Sequence, residues 1–355
     1  MTELALQFLV PMALTWVWII VFAPFARMIG LVDIPSGRKR HVGEIPVIGG
    51  IAIAMTLLAG VYMPPFSATF AALNTDIDVG LFVICGCYLV LVGAIDDKLH
   101  LGVKSRIFSE LLFGVIVIEI LGLQLNNLGN LIGLGEVSIS GPAAYVFAIV
   151  AIFGIVNALN MLDGIDGLVA SLLIATIVGF HVFTSIPPGL ISLYLLGAVF
   201  AFLASNLGSI PFIPKTFLGD AGSKLIGFIT VSLLIVIASD QIGGAKLIQP
   251  VTALFAVSIP LFDMVYVTLK RTLSRASPFS PGRDHIHHLL SNFGLSDIAV
   301  VATINLTHLI IMGLGFFLST AGIGEPAQFA LFVGLFLCYC SLINAGWTRI
   351  STSEN

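Results

Sequence analysis

The polar positions of this chain fall in short stretches between long apolar runs, and those runs are the primary signal. They predict eleven helices, at roughly 5–26, 46–63, 80–95, 106–122, 142–160, 168–186, 190–207, 223–239, 250–269, 298–320 and 328–347. Most approach the length of about 20 residues that crosses a bilayer core. None shows the alternation of a barrel strand. The expected fold class is all-α: a polytopic membrane helical bundle of about 11 transmembrane helices, forming one domain over 1–355. The chain opens on Met1-Thr2-Glu3-Leu4 without the basic stretch of a cleavable leader, so its first apolar run reads as the first helix.

Composition sharpens this picture. Charged residues make up 10% of the 355 positions and hydrophobic ones 58%, with mean hydropathy +1.08. A soluble domain carries about 25% charge, so an ordinary soluble enzyme is excluded, as is a disordered chain. Net charge, −4, says little, because the side on which charges lie matters more than their sum. The four cysteines, Cys85, Cys87, Cys338 and Cys340, sit inside apolar runs and read as small buried hydrophobes rather than zinc ligands or disulfides.

Sorting the loops by side is more informative. One alternating set, 27–44, 96–105, 157–167, 208–222 and 270–297, holds most of the ionisable residues. Of 15 Lys and Arg residues, only Lys246 falls on the other side. This bias predicts that the rich loops face the cytoplasm, with the N-terminus outside and the C-terminus inside. The opposite loops carry turn formers such as Pro64-Pro65, Pro187-Pro188-Gly189 and Gly243-Gly244. Alternation at Val137-Ser138-Ile139-Ser140 predicts a short hairpin within 123–141.

The rich loops hold acids, amides and histidines in short clusters. Asp96-Asp97 ends the third predicted helix, at the unfavourable pole of its dipole, so a cation should offset the pair. Asn157 to Gly167 carries Asn160, Asp163 and Asp166, with a glycine after each acid. A turn and a helix cap explain one Asp-Gly there. They do not explain two acids without a basic residue in the same corner, which a divalent cation would balance. Asp220 precedes the eighth predicted helix, either as its N-cap or as a metal ligand beside amides that suit phosphate oxygens. The last rich loop runs Ser277-Pro278-Phe279-Ser280-Pro281-Gly282-Arg283-Asp284-His285-Ile286-His287-His288. Its basic neighbours Lys270, Arg271, Arg275 and Arg283 favour phosphate over zinc.

Together these clusters describe a basic, metal-binding platform at one face of an apolar body. Phosphoryl transfer between a soluble nucleotide and a lipid phosphate needs such a platform, because its catalysis is mostly positioning and charge neutralisation. A cation-coupled transporter would place its ionisable groups near the midplane of interrupted helices instead. A CDP-alcohol phosphotransferase would continue with Ala-Arg after Asp166-Gly167, and this chain does not. A scaffold gives no reason for acids and histidines to recur at the corners.

The ordered set Arg38-Lys39-Arg40-His41 with Ile45-Pro46-Val47-Ile48-Gly49-Gly50, then Gly93 to Asp97, Asn157 to Gly167, Phe217 to Ser223 and Ser277 to His288, resembles the polyprenyl-phosphate N-acetylhexosamine-1-phosphate transferases. The match spans residues 27 to 290 in order, spacing and side. The spelling His285-Ile286-His287-His288 is similar to the branch that uses UDP-N-acetylglucosamine and undecaprenyl phosphate; the muramoyl-pentapeptide branch carries three consecutive histidines.

The resemblance implies that the carrier phosphate attacks the β-phosphorus of a UDP-N-acetylhexosamine and releases UMP, with Mg²⁺ or Mn²⁺ as cofactor. It implies that Asp220 holds the metal, with Asn160 a second ligand, and that Asp96, Asp97, Asp163, Asp166, His285, His287 and His288 form the catalytic set. Phe217 would stack on uracil, and Asn206, Lys104, Arg106, Arg271, Arg283 and His41 would contact substrate. It also implies a bacterial inner-membrane location with a cytoplasmic site, homodimers as the usual assembly, and no nucleic-acid partner. His100 stands where many members carry a third acid. Glu110 and Asp263 are expected to have structural partners, mutual or basic.

Overall fold

The computed structural model of the chain describes residues 2–35, 43–62, 78–239, 246–279 and 282–353. Its helices are α1 (Thr2–Ile29), α2 (Gly49–Tyr62), α3 (Val79–Leu99), α4 (Val103–Leu121), α5 (Pro142–Leu162), α6 (Leu168–Thr184) and α7 (Leu190–Asn206). They continue as α8 (Gly219–Ala238), α9 (Pro250–Phe255), α10 (Ser258–Leu273), α11 (Ile286–Asn292), α12 (Asp297–Thr320) and α13 (Glu325–Ser353). A two-residue antiparallel pair, β1 (Val32–Asp33) with β2 (Ile45–Pro46), sets Val32 opposite Pro46.

Each predicted helix has a counterpart, and among the described residues six are long and apolar enough to cross a membrane: α1, α3, α5, α8, α12 and α13. α2, α6 and α7 are shorter apolar helices. The chain is a helical, multi-pass membrane protein. The predicted helix 250–269 is broken: α9 ends at Phe255 and α10 begins at Ser258. Pro260 accounts for the break. It has no N–H to reach back four residues to Ala256, and its ring is tolerated only in the first turn of the new helix.

α8 is the axis of the fold. After Lys224 it is apolar on nearly all sides, as a helix enclosed by others must be, and nearly every side chain from Ala221 to Ala238 is buried. α2, α3, α5 and α6 pack around it. Two crossings depend on glycine. A Cβ at Gly93 would strike the backbone of Ala221, and one at Gly227 would lie 2.6 Å from Val156 Cα. Small residues at such crossings let helix backbones touch where no hydrophobic effect draws helices together. Side-chain hydrogen bonds add specificity: Thr15 to Thr56 (2.8 Å) joins α1 to α2, and Asn305 to Ser171 (2.8 Å) joins α12 to α6.

The expected hairpin is present in reduced form. Asn127 pairs with Ser138, and the N–H of Leu128 donates to the Val137 carbonyl at 2.9 Å. The four cysteines are free thiols.

Candidate active site

The sequence clusters meet at one end of α8. α3 runs on to Leu99, so Asp96 and Asp97 lie in its last turn, as expected. His100, the residue standing in place of a family acid, closes that helix in the left-handed conformation (φ 52°) and donates its N–H to the Asp96 carbonyl. Histidine is among the residues that adopt this conformation more readily than most.

The two acids are neutralised differently. Asp96 is fully buried and accepts from Arg106 Nε (2.9 Å to Oδ1) and from the N–H of Leu101 (2.9 Å). Lys224 Nζ approaches its Oδ2 at 3.4 Å. Asp97 uses the positive pole of another helix: Oδ1 accepts the Asp220 N–H at 2.9 Å and Oδ2 the Ala221 N–H at 3.3 Å. α8 begins at Gly219, and Leu218 provides no side-chain cap. Asp220 is therefore in the first turn and is not the N-cap; Asp97 supplies that function from α3. The same geometry corrects the expectation of free amides for phosphate, since Asp97 occupies two of them.

Lys224 was not singled out from the sequence. It is 1% exposed, and its Nζ also lies 3.2 Å from Glu110 and 3.7 Å from Asp220. Glu110 accepts from Asn157 at 2.6 Å. Glu110 thus has the basic partner expected of it. The available signal was a lysine inside an apolar run, one helical turn after an acid: an ionisable group there calls for a partner.

The corner between α5 and α6 separates its two acids. Asp166 pairs with Lys215 at 2.7 Å, so a base from the next loop balances one of the two acids, and a divalent cation is left as the balance for Asp163 alone. Asn206, expected at the substrate, is buried and staples these loops: its Oδ1 accepts the Gly167 N–H (2.6 Å), and its Nδ2 donates to the Thr216 carbonyl (3.0 Å) and Asp166 (3.3 Å). Asp163 has no hydrogen bond or ion pair to its carboxylate among the described residues. Burial, then Asp220, Asp97 and Asp166, push its carboxyl well above the usual range.

Phe217 is half-buried and held by backbone bonds to the β2 segment, with its N–H on the Pro46 carbonyl (3.0 Å). Lys215 Nζ lies 5.7 Å from its ring centroid. The Ile45 to Gly50 motif and the Phe217 to Ser223 motif thus form one structural unit.

The histidine loop closes the site from the other side. His287 is 1% exposed with neither ring nitrogen hydrogen-bonded, and a Cβ at Gly164 would collide with its Nε2. Burial first, then His288 and His285, push its pKa down to about 2. Burial also lowers His288, with Arg283 and His285 adding to the shift. His285 Nδ1 lies 2.6 Å from Asp263 Oδ2, the basic partner expected for that acid. Asp284 bridges Lys270 (2.8 Å) and Arg271 (3.4 Å); burial pushes its carboxyl up, but these cations outweigh burial and bring it down. Lys104 and Arg283 are exposed at the rim, and His41 lies outside the described residues.

Among the described residues, no three His, Cys, Asp or Glu side chains already converge as a metal cage. Mg²⁺ does not need one: it binds through one or two carboxylates and completes its shell with phosphates and water. Asp220, partly open, and Asp163, with no hydrogen bond to its carboxylate among the described residues, fit that pattern. Asn160, expected as a second ligand, lies against Asp220. Its Nδ2 donates to Asp220 Oδ1 at 3.1 Å and to Ser223 Oγ at 2.9 Å, which places the amide beside that carboxylate and orients it.

Residues 79–238 match glycosyl transferase family 4. An undecaprenyl-phosphate alpha-N-acetylglucosaminyl 1-phosphate transferase of Yersinia pestis is 36% identical, over 98% of this chain and 92% of the relative. The chain belongs to this family. Proteins of the same name from Escherichia coli O157:H7 (33% identical, 91% of this chain, 86% of the relative) and Haemophilus influenzae (31%, 93% and 91%) are also similar. The family match covers both acid corners and α8 and ends before the histidine loop.

Proposed function

We propose that this protein transfers N-acetylglucosamine 1-phosphate from UDP-N-acetylglucosamine to undecaprenyl phosphate. One observation carries the reading: Asp97, Asp163, Asp220 and His287 are gathered at one end of an axial helix, in a chain otherwise built for lipid. The names borne by its relatives supply the carrier and the transferred group; the uridine diphosphate donor comes from the resemblance of the motifs. An oxygen of the lipid phosphate forms a bond to the β-phosphorus, the bond from that phosphorus to the bridging oxygen breaks, and UMP leaves. One phosphoanhydride replaces another, so the step is near-isoenergetic and reversible.

Asp220 and Asp163 are the residues that would hold Mg²⁺, or Mn²⁺ in its place. The bound ion would neutralise the diphosphate and stabilise the charge that develops on the leaving phosphate. Asn160 keeps Asp220 turned toward that position. Asp96 is committed to Arg106 and Lys224, which leaves Asp97, with lone pairs beyond its two amide bonds, to orient the lipid phosphate by accepting a hydrogen bond from its P–OH and then its proton. Phe217 stacks on uracil beside Lys215, and Asp166 fixes Lys215 there. Arg271, Arg283, Lys104, His285, His287 and His288 receive the diphosphate and sugar.

The full topology belongs to the same proposal: eleven spans in a single domain, N-terminus outside, and this site on the cytoplasmic face of a bacterial inner membrane, in a homodimer. Incubation of the purified protein with undecaprenyl phosphate, Mg²⁺ and a panel of UDP-sugars tests it. UMP release with UDP-N-acetylglucosamine is expected; release only with a muramoyl-pentapeptide nucleotide contradicts the assigned sugar.

A further inference from the structure

We propose that Asp263 and Tyr339 are positioning residues for this reaction, acting through His285: they hold its imidazole as the Nδ1–H tautomer and leave Nε2 as the free nitrogen. The proposal rests on the transfer reading for its reaction, though not for its geometry. Asp263 is 0% exposed on α10. Its carboxylate receives three bonds, from His285 Nδ1 (2.6 Å), the Ile286 N–H (2.8 Å) and the Tyr339 O–H (2.8 Å). Two of these partners, the backbone N–H and the phenol O–H, are donors, and both go to Oδ1. Oδ2 is left to the ring nitrogen, and we place the shared proton on Nδ1. Among the described residues none bonds to His285 Nε2.

A purely structural cap would not need this arrangement. The Ile286 N–H at the start of α11 could be satisfied by a neutral side chain, whereas a buried carboxylate is costly unless it is paired and hydrogen-bonded, as Asp263 is to His285. A buried anion behind an imidazole does what a neutral cap cannot: it selects the tautomer and stabilises positive charge on the ring when Nε2 engages an acidic group. The ring it fixes lies parallel to His287, centroids 5.7 Å apart, and His287 touches the Asp163 corner at Gly164. Tyr339 brings α13 into the arrangement. Both Asp263 and Tyr339 lie beyond the residues matched to the family, 79–238.

Two measurements on the full-length protein test the inference. In protein labelled with ¹⁵N-histidine, the His285 signals, identified by their loss in His285→Gln, are expected to show a protonated Nδ1 and an unprotonated Nε2. Asp263→Asn is expected to reverse this, because an amide can donate to Nδ1. An Nε2–H tautomer in the unsubstituted protein overturns the proposal. In a double-mutant cycle on UMP release, Asp263→Asn is expected to lower kcat roughly 100-fold or more. The same change in a His285→Gln background is expected to cost less than about 3-fold, because the two residues act as a unit. Equal losses in both backgrounds overturn it. Tyr339→Phe removes only the O–H and serves if Asp263→Asn fails to fold; it is expected to lower kcat with little change in KM. Absence of any turnover in the unsubstituted protein counts against the transfer reading alone, and the ¹⁵N result then decides the positioning.

Discussion

Asp97 accepts the backbone N–H of Asp220 at 2.9 Å, so a carboxylate from α3 caps the helix whose first turn carries the proposed metal ligand. Structure and chemistry are therefore linked at one residue. Asp97→Ala is expected to cost about 1 kcal/mol through the lost cap and to lower UMP release by more than about 100-fold. Asp97→Asn keeps one acceptor oxygen, so thermal unfolding is expected to recover while turnover does not. Recovery of both assigns Asp97 to capping alone.

Lys224 is the buried counter-charge for three acids, Asp96, Glu110 and Asp220. Removing one partner from buried charges costs far more than the group contributes on balance, about 3–5 kcal/mol. Lys224→Met is expected to lower the unfolding midpoint accordingly, and adding Glu110→Gln is expected to restore part of the loss. A Lys224→Met protein as stable as the original is incompatible with this network.

Gly164 is the contact between the acid corner and the histidine loop. A side chain there meets His287 Nε2, and displacement of a reacting group by about 1 Å can cost about 100-fold in rate. Gly164→Ala is expected to depress turnover strongly while shifting the unfolding midpoint little, since the contact lies at the edge of the bundle. Kinetics and thermal unfolding of the same preparation separate the two effects.

His287 makes stability depend on pH. Its pKa falls from 6.5 to about 2 on folding, so below about pH 6.5 the unfolded chain binds a proton that the folded chain refuses. Stability then rises with pH across this window and falls on acidification, by on the order of 2 kcal/mol between pH 6.5 and pH 5. His287→Gln is expected to lose this contribution. Unfolding midpoints of the two proteins across pH 5 to 8 make the comparison, and parallel curves contradict it.

Most of the fold was legible because lipid imposes long apolar runs, and every predicted helix has a counterpart. The break at Ala256–Val257 was missed because hydropathy does not register that Pro260 lacks a donor. The acid pair, Asp163, Asp166, Asp220 and the histidines were visible as clusters of costly groups in an apolar chain. Their partners were not: the Asp97 cap on α8, Lys224 among three acids, Lys215 on Asp166 and Tyr339 on Asp263 are all contacts between segments distant in sequence. Asn206, read from the sequence as a substrate contact, has hydrogen bonds that hold the loops together, and these too join distant segments.

The most direct test follows both products of the purified protein supplied with undecaprenyl phosphate, UDP-N-acetylglucosamine and Mg²⁺. UMP and undecaprenyl-diphospho-N-acetylglucosamine are expected in equal amounts, with UDP-N-acetylglucosamine regenerated when UMP is added back and no turnover in Asp220→Ala that remains folded. Substrate uptake into sealed vesicles without UMP release, or undiminished turnover in Asp220→Ala, would contradict the account.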